Sequence, residues 1–297
     1  MIFLRERIGK LLRDLEGLIY TDETPVSGFR YVQSAEKFPD VSKVNTDDWA
    51  YCDRYPMSWG GHRAYYWFET FVTIPEEMDG QCVVYEQTTG KEDGWDATNP
   101  QFTIYVNNVL KQGLDINHRE VLLTEHAKAG ERYRIMLSAF TGDHNMNLVL
   151  DARIKVLHRE TEKYYYDLKM PYDTACLLRE SDTEYRDIIL NLNESLNLLD
   201  LRKPYSEAYE KSLKAAQDYL DQEFYERYAG VARQKVYCVG HTHIDVAWKW
   251  TLAVTEDKAV RSFSTVLELM RQYPEYKFMS SQPQLYKYVK KNAPQVY

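Results

Sequence analysis

His241, His243 and Asp245 occupy alternate positions directly after Val236-Tyr-Cys-Val-Gly240, an apolar run that reads as a strand. Alternate side chains of extended backbone project to the same face. The spacing therefore gathers two imidazoles and a carboxylate. Zinc accepts these donor types at about 2 Å and keeps one position open where it is catalytic. Strand ends are also where α/β folds place their catalytic loops. A lone histidine after a strand is usually structural or merely exposed, but three metal-capable groups in alternation are a rarer accident. The cluster is read as a metal site.

The neighbouring residues separate hydrolase classes. Metallo-β-lactamase-like enzymes want a histidine immediately after the aspartate, where this chain has Val246. Amidohydrolase barrels also carry His-x-His on a first strand, but do not require the aromatic pair Trp248 and Trp250 that follows here. An amidohydrolase-like metal-dependent hydrolase stays as an alternative. Glu256 and Asp257 read as first-turn residues of the next helix, where negative charge favours the dipole. The acidic stretches at 46–48 and 91–96 read as loops.

The elements that must position the cluster follow from periodicity. Strand 236–239, helix 256–273 closed by Pro274, strand 277–280 and a helix from Pro283, with Ser281 and Gln284 as a capping box, read as the start of an α/β sheet or barrel. Two such units can neither close a sheet nor cover its faces. The expectation is a fragment of a longer polypeptide. Upstream, period-two stretches at 65–74, 82–88, 102–110, 133–140 and 146–156, broken by Gly and Pro, predict an antiparallel β-sandwich, with Asn107-Asn108 suited to a tight hairpin turn. Leu4, Ile8, Leu11, Leu12, Leu15, Leu18 and Ile19 form an amphipathic helical stripe. Ser181 to Glu184 suggest a capping box opening a helix with Tyr185, Ile189, Leu192 and Leu196 on one face, and Pro204 the start of another.

The expected fold is multidomain α+β: an N-terminal amphipathic helix (1–30), a β-sandwich accessory domain (31–160), a helical linker (161–230), and the first β-α units of an α/β catalytic barrel (231–297). The 297 residues carry a net charge of −8, which argues against nucleic acid or an anionic membrane as a partner. Cys52, Cys82, Cys176 and Cys238 are widely spaced and expected to be free thiols. Charged residues interrupt the apolar N-terminal segment, so a cytoplasmic location is the default.

The string Gly-His-Thr-His-Ile-Asp-Val-Ala-Trp over residues 240–248 resembles the first motif of family 38 glycoside hydrolases, the retaining, zinc-dependent α-mannosidases. The likeness continues through residues 258–270, 273–279 and 281–286, in the manner of the cytosolic and bacterial branch of that family. The resemblance implies that His243 and Asp245 are two ligands of a zinc cofactor (Zn2+), that His241 is a non-ligand neighbour, and that Trp248 forms a wall of the sugar site. Trp250 is read as core. The resemblance also implies a nucleophilic aspartate and a further histidine beyond Tyr297, so that the fragment alone would be inactive. The implied partner is a mannose-containing oligosaccharide, with room for a homo-oligomer of the full-length enzyme. A competing expectation is that the sandwich binds carbohydrate on its own through exposed aromatics such as Trp59 or Trp95. The simpler reading is that it packs on the catalytic domain.

Overall fold

A computed structural model of the chain describes residues 3–38, 40–88, 100–142, 146–229 and 236–297. Trp95, the acidic stretch 91–96, Gly90, Gly94 and Gly230 lie outside the described residues. The fold is α+β, and the chain divides into two compact units, Met1–Thr21 with Leu157–Val236, and Asp22–Val156 with Tyr237–Tyr297.

The first unit is helical. α1 (Leu4–Glu16) buries Ile8, Leu12 and Leu15, as its stripe requires. α2 (Arg159–Leu177), which the sequence reading did not single out, carries Pro171 within it. Its Tyr164 hydroxyl meets Ser195 Oγ at 2.8 Å on α3 (Thr183–Leu198), and Ser195 donates to Ala216 O at 2.8 Å on α4 (Glu207–Tyr219). Both helix starts differ from expectation. The cap of α3 is Asp182, whose carboxylate turns back to accept from Arg179 N at 3.1 Å, so the Ser181–Glu184 box does not form. α4 starts after Pro204, capped by Ser206, which accepts from Tyr209 N at 3.3 Å. A serine oxygen satisfies an orphan donor there, which a proline cannot do.

In the second unit, the short strands form antiparallel sheets. β1 (Tyr20–Val26), β2 (Phe29–Gln33), β3 (Ala50–Cys52), β4 (Met57–Gly61), β5 (Tyr65–Thr73) and β6 (Val83–Gln87) come first. β7 (Gln101–Val106), β8 (Val109–Leu114), β9 (Glu120–Thr124), β10 (Arg132–Phe140), β11 (Met146–Leu150) and β12 (Ala152–Leu157) complete them. One sheet runs β1-β12-β6-β9, a second β3-β2-β5-β10-β7-β8, and β11 pairs only with β4. Inward residues of all three, among them Tyr85 and Ile154, Phe68 and Ile104, and Trp59 and Leu148, share one core.

Two details show how local chemistry sets this layout. Asn107 and Asn108 take positive φ, 48° and 68°, and turn the stretch 102–110 into the β7–β8 hairpin. The stretch 146–156 is two strands rather than one: β11 pairs with β4 and β12 with β6, divided at Asp151. The alternation continues unbroken across the division, since Leu148, Leu150, Ala152, Ile154 and Val156 are all buried. Period alone could not show the change of sheet.

The remaining elements of this unit are α5 (Leu252–Gln272) and α6 (Pro283–Asn292). α5 begins earlier than expected, capped by Thr251, which accepts from Val254 N at 3.4 Å. Glu256 and Asp257 consequently fall beyond its first turn and act as ion-pair partners: Asp257 with Lys37 at 2.6 Å, Glu256 with Lys291 at 3.3 Å. α6 opens at Pro283 with Gln282 as cap and no side-chain capping bond, so the Ser281–Gln284 box is also absent. Residues 236–239 and 277–280 do not form a continuous ladder. A single parallel bridge joins Gly240 to Phe278, with Gly240 N donating to Lys277 O at 2.7 Å and Met279 N to Gly240 O at 2.9 Å. The strand expected to be buried is exposed, at 81% for Val236 and 79% for Tyr237. The barrel is thus not formed among the described residues.

Candidate functional site

The loop between the Gly240 bridge and α5 carries the candidate residues His241, His243, Asp245 and Trp248. Gly240 is closely approached: a Cβ there would meet the Tyr276 hydroxyl at 2.2 Å and displace that ring. Beyond it, Ile244 is buried among Ala259, Phe263, Leu285 and Val289. An extended chain with Ile244 turned into this core sends its neighbours outward. His243 Nε2 lies 2.9 Å from Asp245 Oδ1, and the two side chains are 72% and 41% exposed. His241 is exposed and outside this pair, though it lines the same cavity as His243.

The backbone carrying the pair is tied at two points. Thr255 Oγ1 donates to Asp245 O at 3.2 Å and accepts from Trp250 Nε1 at 2.9 Å. Gln282 grips Ile244 from the other side: its Nε2 donates to Ile244 O at 3.0 Å and its Oε1 accepts from Ile244 N at 3.4 Å. Sequence reading missed both ties. Nothing local in the sequence ties Thr255 to Asp245 or Gln282 to Ile244, and only the fold brings them to the loop.

Trp248 is 50% exposed, packed edge-on against Trp250 at 5.8 Å, with Lys249 Nζ 4.9 Å from its ring centroid. Trp250 is more enclosed and has Lys258 Nζ 4.5 Å over its ring. Trp248 is thus the more exposed ring of the two, three residues past Asp245, whereas Trp250 lines the same cavity as His241 and His243.

A cavity of about 380 Å³ adjoins the loop. His241, His243, Tyr276, Lys258 and Arg261 line it from one side, and Asp115 and His118, just past β8, from the other. His118 Nδ1 is 3.1 Å from Asp115 Oδ1. The bond from Asp115 raises the His118 pKa against the opposing effect of burial. Burial raises the Asp115 pKa, but the hydrogen bonds from His118 and two backbone amides outweigh it and leave it lowered. Burial also lowers the Arg261 pKa, with Asp257 and Asp115 opposing. Gln101 Oε1 accepts from Arg261 at 2.7 Å and from Lys258 at 2.9 Å. Gly113 of β8 donates to Thr265 at 3.0 Å, and a Cβ at Gly113 would meet Arg261 Cβ at 2.8 Å. The β-sheet region is thus packed directly on the helix that follows the His243 loop.

Trp59, a candidate sugar-stacking aromatic, is instead a core residue at 7% exposure, enclosed by Tyr66, Phe68 and Phe102. A ring with both faces covered offers nothing to a ligand.

In donor chemistry, the imidazole nitrogen of His243 and the carboxylate oxygen of Asp245, accessible and hydrogen-bonded to each other, are of types that fit a zinc ion. No group of three or more His, Cys, Asp or Glu side chains suited to a metal occurs among the described residues. The pair by itself supplies two donors.

Residues 233–297 match the family model described as glycosyl hydrolases family 38 N-terminal domain. Alpha-mannosidase G of Dictyostelium discoideum is 25% identical over 320 residues, covering 99% of this chain and 27% of that protein. Human alpha-mannosidase 2C1 is 27% identical over 251 residues, covering 78% of this chain and 22% of its own length. The alpha-mannosidase of Saccharomyces cerevisiae is 41% identical over 73 residues, covering 25% of this chain and 7% of the yeast protein. The chain spans about a quarter of the length of the first of these relatives and less of the others.

Proposed function

We propose that this chain, whose residues 233–297 match the glycosyl hydrolases family 38 N-terminal domain, is part of an α-mannosidase that removes mannose from mannose-containing oligosaccharides. The observation that carries the reading is the His243–Asp245 pair, two metal-type donors at 2.9 Å on an accessible loop inside the matched segment. The mannosidase names of relatives spanning most of the chain support it.

His243 and Asp245 would hold zinc, which when bound acts as a template and electrostatic clamp for sugar hydroxyls. Trp248 packs the apolar C–H face of a pyranose, leaving the hydroxyls on the other face free for polar groups. Thr255 keeps the loop backbone in place at Asp245 while substrate exchanges. A retaining glycosidase also needs two carboxyl groups about 5 Å apart, and the roles given to this chain's residues include neither. Activity is assigned to the whole protein, and residues 1–297 alone are expected to be inactive. The β-sheet region is read as a packing partner for α5, on which β8 packs at Gly113 and Thr265; of its two candidate stacking rings, Trp59 is buried. A cytoplasmic setting is proposed with this reading, in keeping with free thiols at Cys52, Cys176 and Cys238. No helix among the described residues is long and apolar enough to cross a membrane.

The test is mannose release from an aryl α-mannoside by the whole protein. The wild type should turn over and His243→Ala should lose at least two orders of magnitude in kcat/KM; equal activity in the two would refute the assignment.

A further inference from the structure

The tie between Gln282 and the middle of the His243–Ile244–Asp245 segment is used by no step of the reading above. We infer that Gln282 is a positioning residue for the metal-binding pair, setting the direction of both ligands through the one residue between them. The inference rests on the zinc reading of His243 and Asp245.

Three observations support it. First, the contact has two points: the Gln282 amide donates to Ile244 O at 3.0 Å and accepts from Ile244 N at 3.4 Å, pairing with one residue as a neighbouring strand would. Such a pairing fixes both peptide groups that flank Ile244, and these peptide groups lead to His243 on one side and Asp245 on the other. Second, regular sheet structure does not do this work. The only bridge in the region joins Gly240 to Phe278, four residues before Ile244 and Gln282 respectively. The side chain of Gln282 extends the parallel pairing beyond the point where the backbones stop pairing. Third, the buried side chain of Ile244 anchors the segment from beneath. With the side chain held by the core and both backbone groups held by Gln282, rotation about the segment is blocked, and His243 and Asp245 remain on one side at 2.9 Å.

The chemistry makes the residue type matter. A glutamine amide carries a donor and an acceptor side by side and so serves a carbonyl and an N–H of one residue at once. A carboxylate at position 282 keeps the acceptor but sets an anionic oxygen against Ile244 O. An alanine removes both contacts. Groups that orient metal ligands typically contribute tenfold or more to metal affinity.

The experiment measures zinc affinity of the metal-free whole protein by competition with a chromophoric chelator, alongside amide hydrogen exchange at Ile244 without metal. Gln282→Ala is expected to weaken zinc binding about tenfold and to speed exchange at Ile244. Gln282→Glu should weaken binding by a comparable factor, and Gln284→Ala, an exposed neighbour on α6, should leave both quantities unchanged. His243→Ala serves as the reference for loss of a ligand. Wild-type affinity in both Gln282 variants, while His243→Ala abolishes binding, would overturn the positioning role and leave the zinc reading standing. Absence of zinc binding by the wild type, or undiminished binding by His243→Ala, would overturn the zinc reading and this inference together. A variant too unstable for the chelator assay is replaced by Gln282→Met, whose similar length fills the space without the amide. Unchanged exchange at Ile244 in that variant would also overturn the inference.

Discussion

The β-sheet region and the segment Tyr237–Tyr297 lie in one compact unit but are held together differently. In the sheets, strand pairing is extensive, and a single core joins residues from all of them. In the later segment one backbone bridge suffices, and the loop that carries the candidate ligands is held by side chains: Gln282 at Ile244, Thr255 at Asp245, and Ile244 in a small core. Where pairing is continuous, loss of one contact is shared by many neighbours. The site loop has no such redundancy, so single residues there should control geometry while contributing little to global stability.

The largest effect belongs to the sheets. Phe68 is fully buried, against Trp59, and Phe68→Ala should cost about 3–5 kcal/mol, read as a lower denaturant midpoint for this unit. A cost below 1 kcal/mol would mean that the two regions are not as different as described. Next is their junction. Gly113→Ala forces a methyl against the Arg261 stem and should cost about 1–3 kcal/mol, since neither strand nor helix can retreat without losing the Gly113–Thr265 hydrogen bond. No change in midpoint would show that the junction is loose.

A smaller effect on stability is expected at the site. Trp248→Ala, half exposed, should alter stability by no more than about 0.5 kcal/mol, yet raise KM for an aryl α-mannoside in the whole protein by roughly 5- to 10-fold. Equal KM values would remove the ring from the sugar site. The smallest effect concerns the pair Asp115–His118. The folded pKa of His118 is raised, so its contribution is fully present below its unfolded value of about 6.5 and is lost as pH rises through the folded value. The folded pKa of Asp115 is lowered, so its contribution is present above about 3.9 and is lost as pH falls through the folded value. The unfolding midpoint should therefore favour the mildly acidic window between those limits, by a small amount because the pair is partly exposed. His118→Ala should flatten that dependence, and an unaltered pH profile in the variant would contradict the pairing.

How much could be seen in the sequence follows the same division. The period-two alternation of 133–140 and 146–156 revealed the strands, and Asn107-Asn108 the hairpin, because side-chain burial and positive φ leave local traces. The change of sheet at Asp151 left none, since inward residues of two facing sheets share one alternation. Strands β1 to β4 and β9 were missed: β4 is glycine-ended and β3 short, and β1 follows α1 too closely for its period to stand out. The capping boxes failed at Ser181 and Ser281 because an adjacent residue took the cap. At the site, the types and spacing of His243, Asp245 and Trp248 were legible. Gln282 and Thr255 were not, because their roles depend on distance in space.

The most direct measurement is the structure of the whole protein crystallised with zinc, using anomalous scattering at the zinc edge. The predicted result is one ion bound by His243 Nε2 and a carboxylate oxygen of Asp245, with Gln282 still bridging both backbone groups of Ile244. An ion bound elsewhere, or none at this pair under saturating zinc, would contradict the assignment.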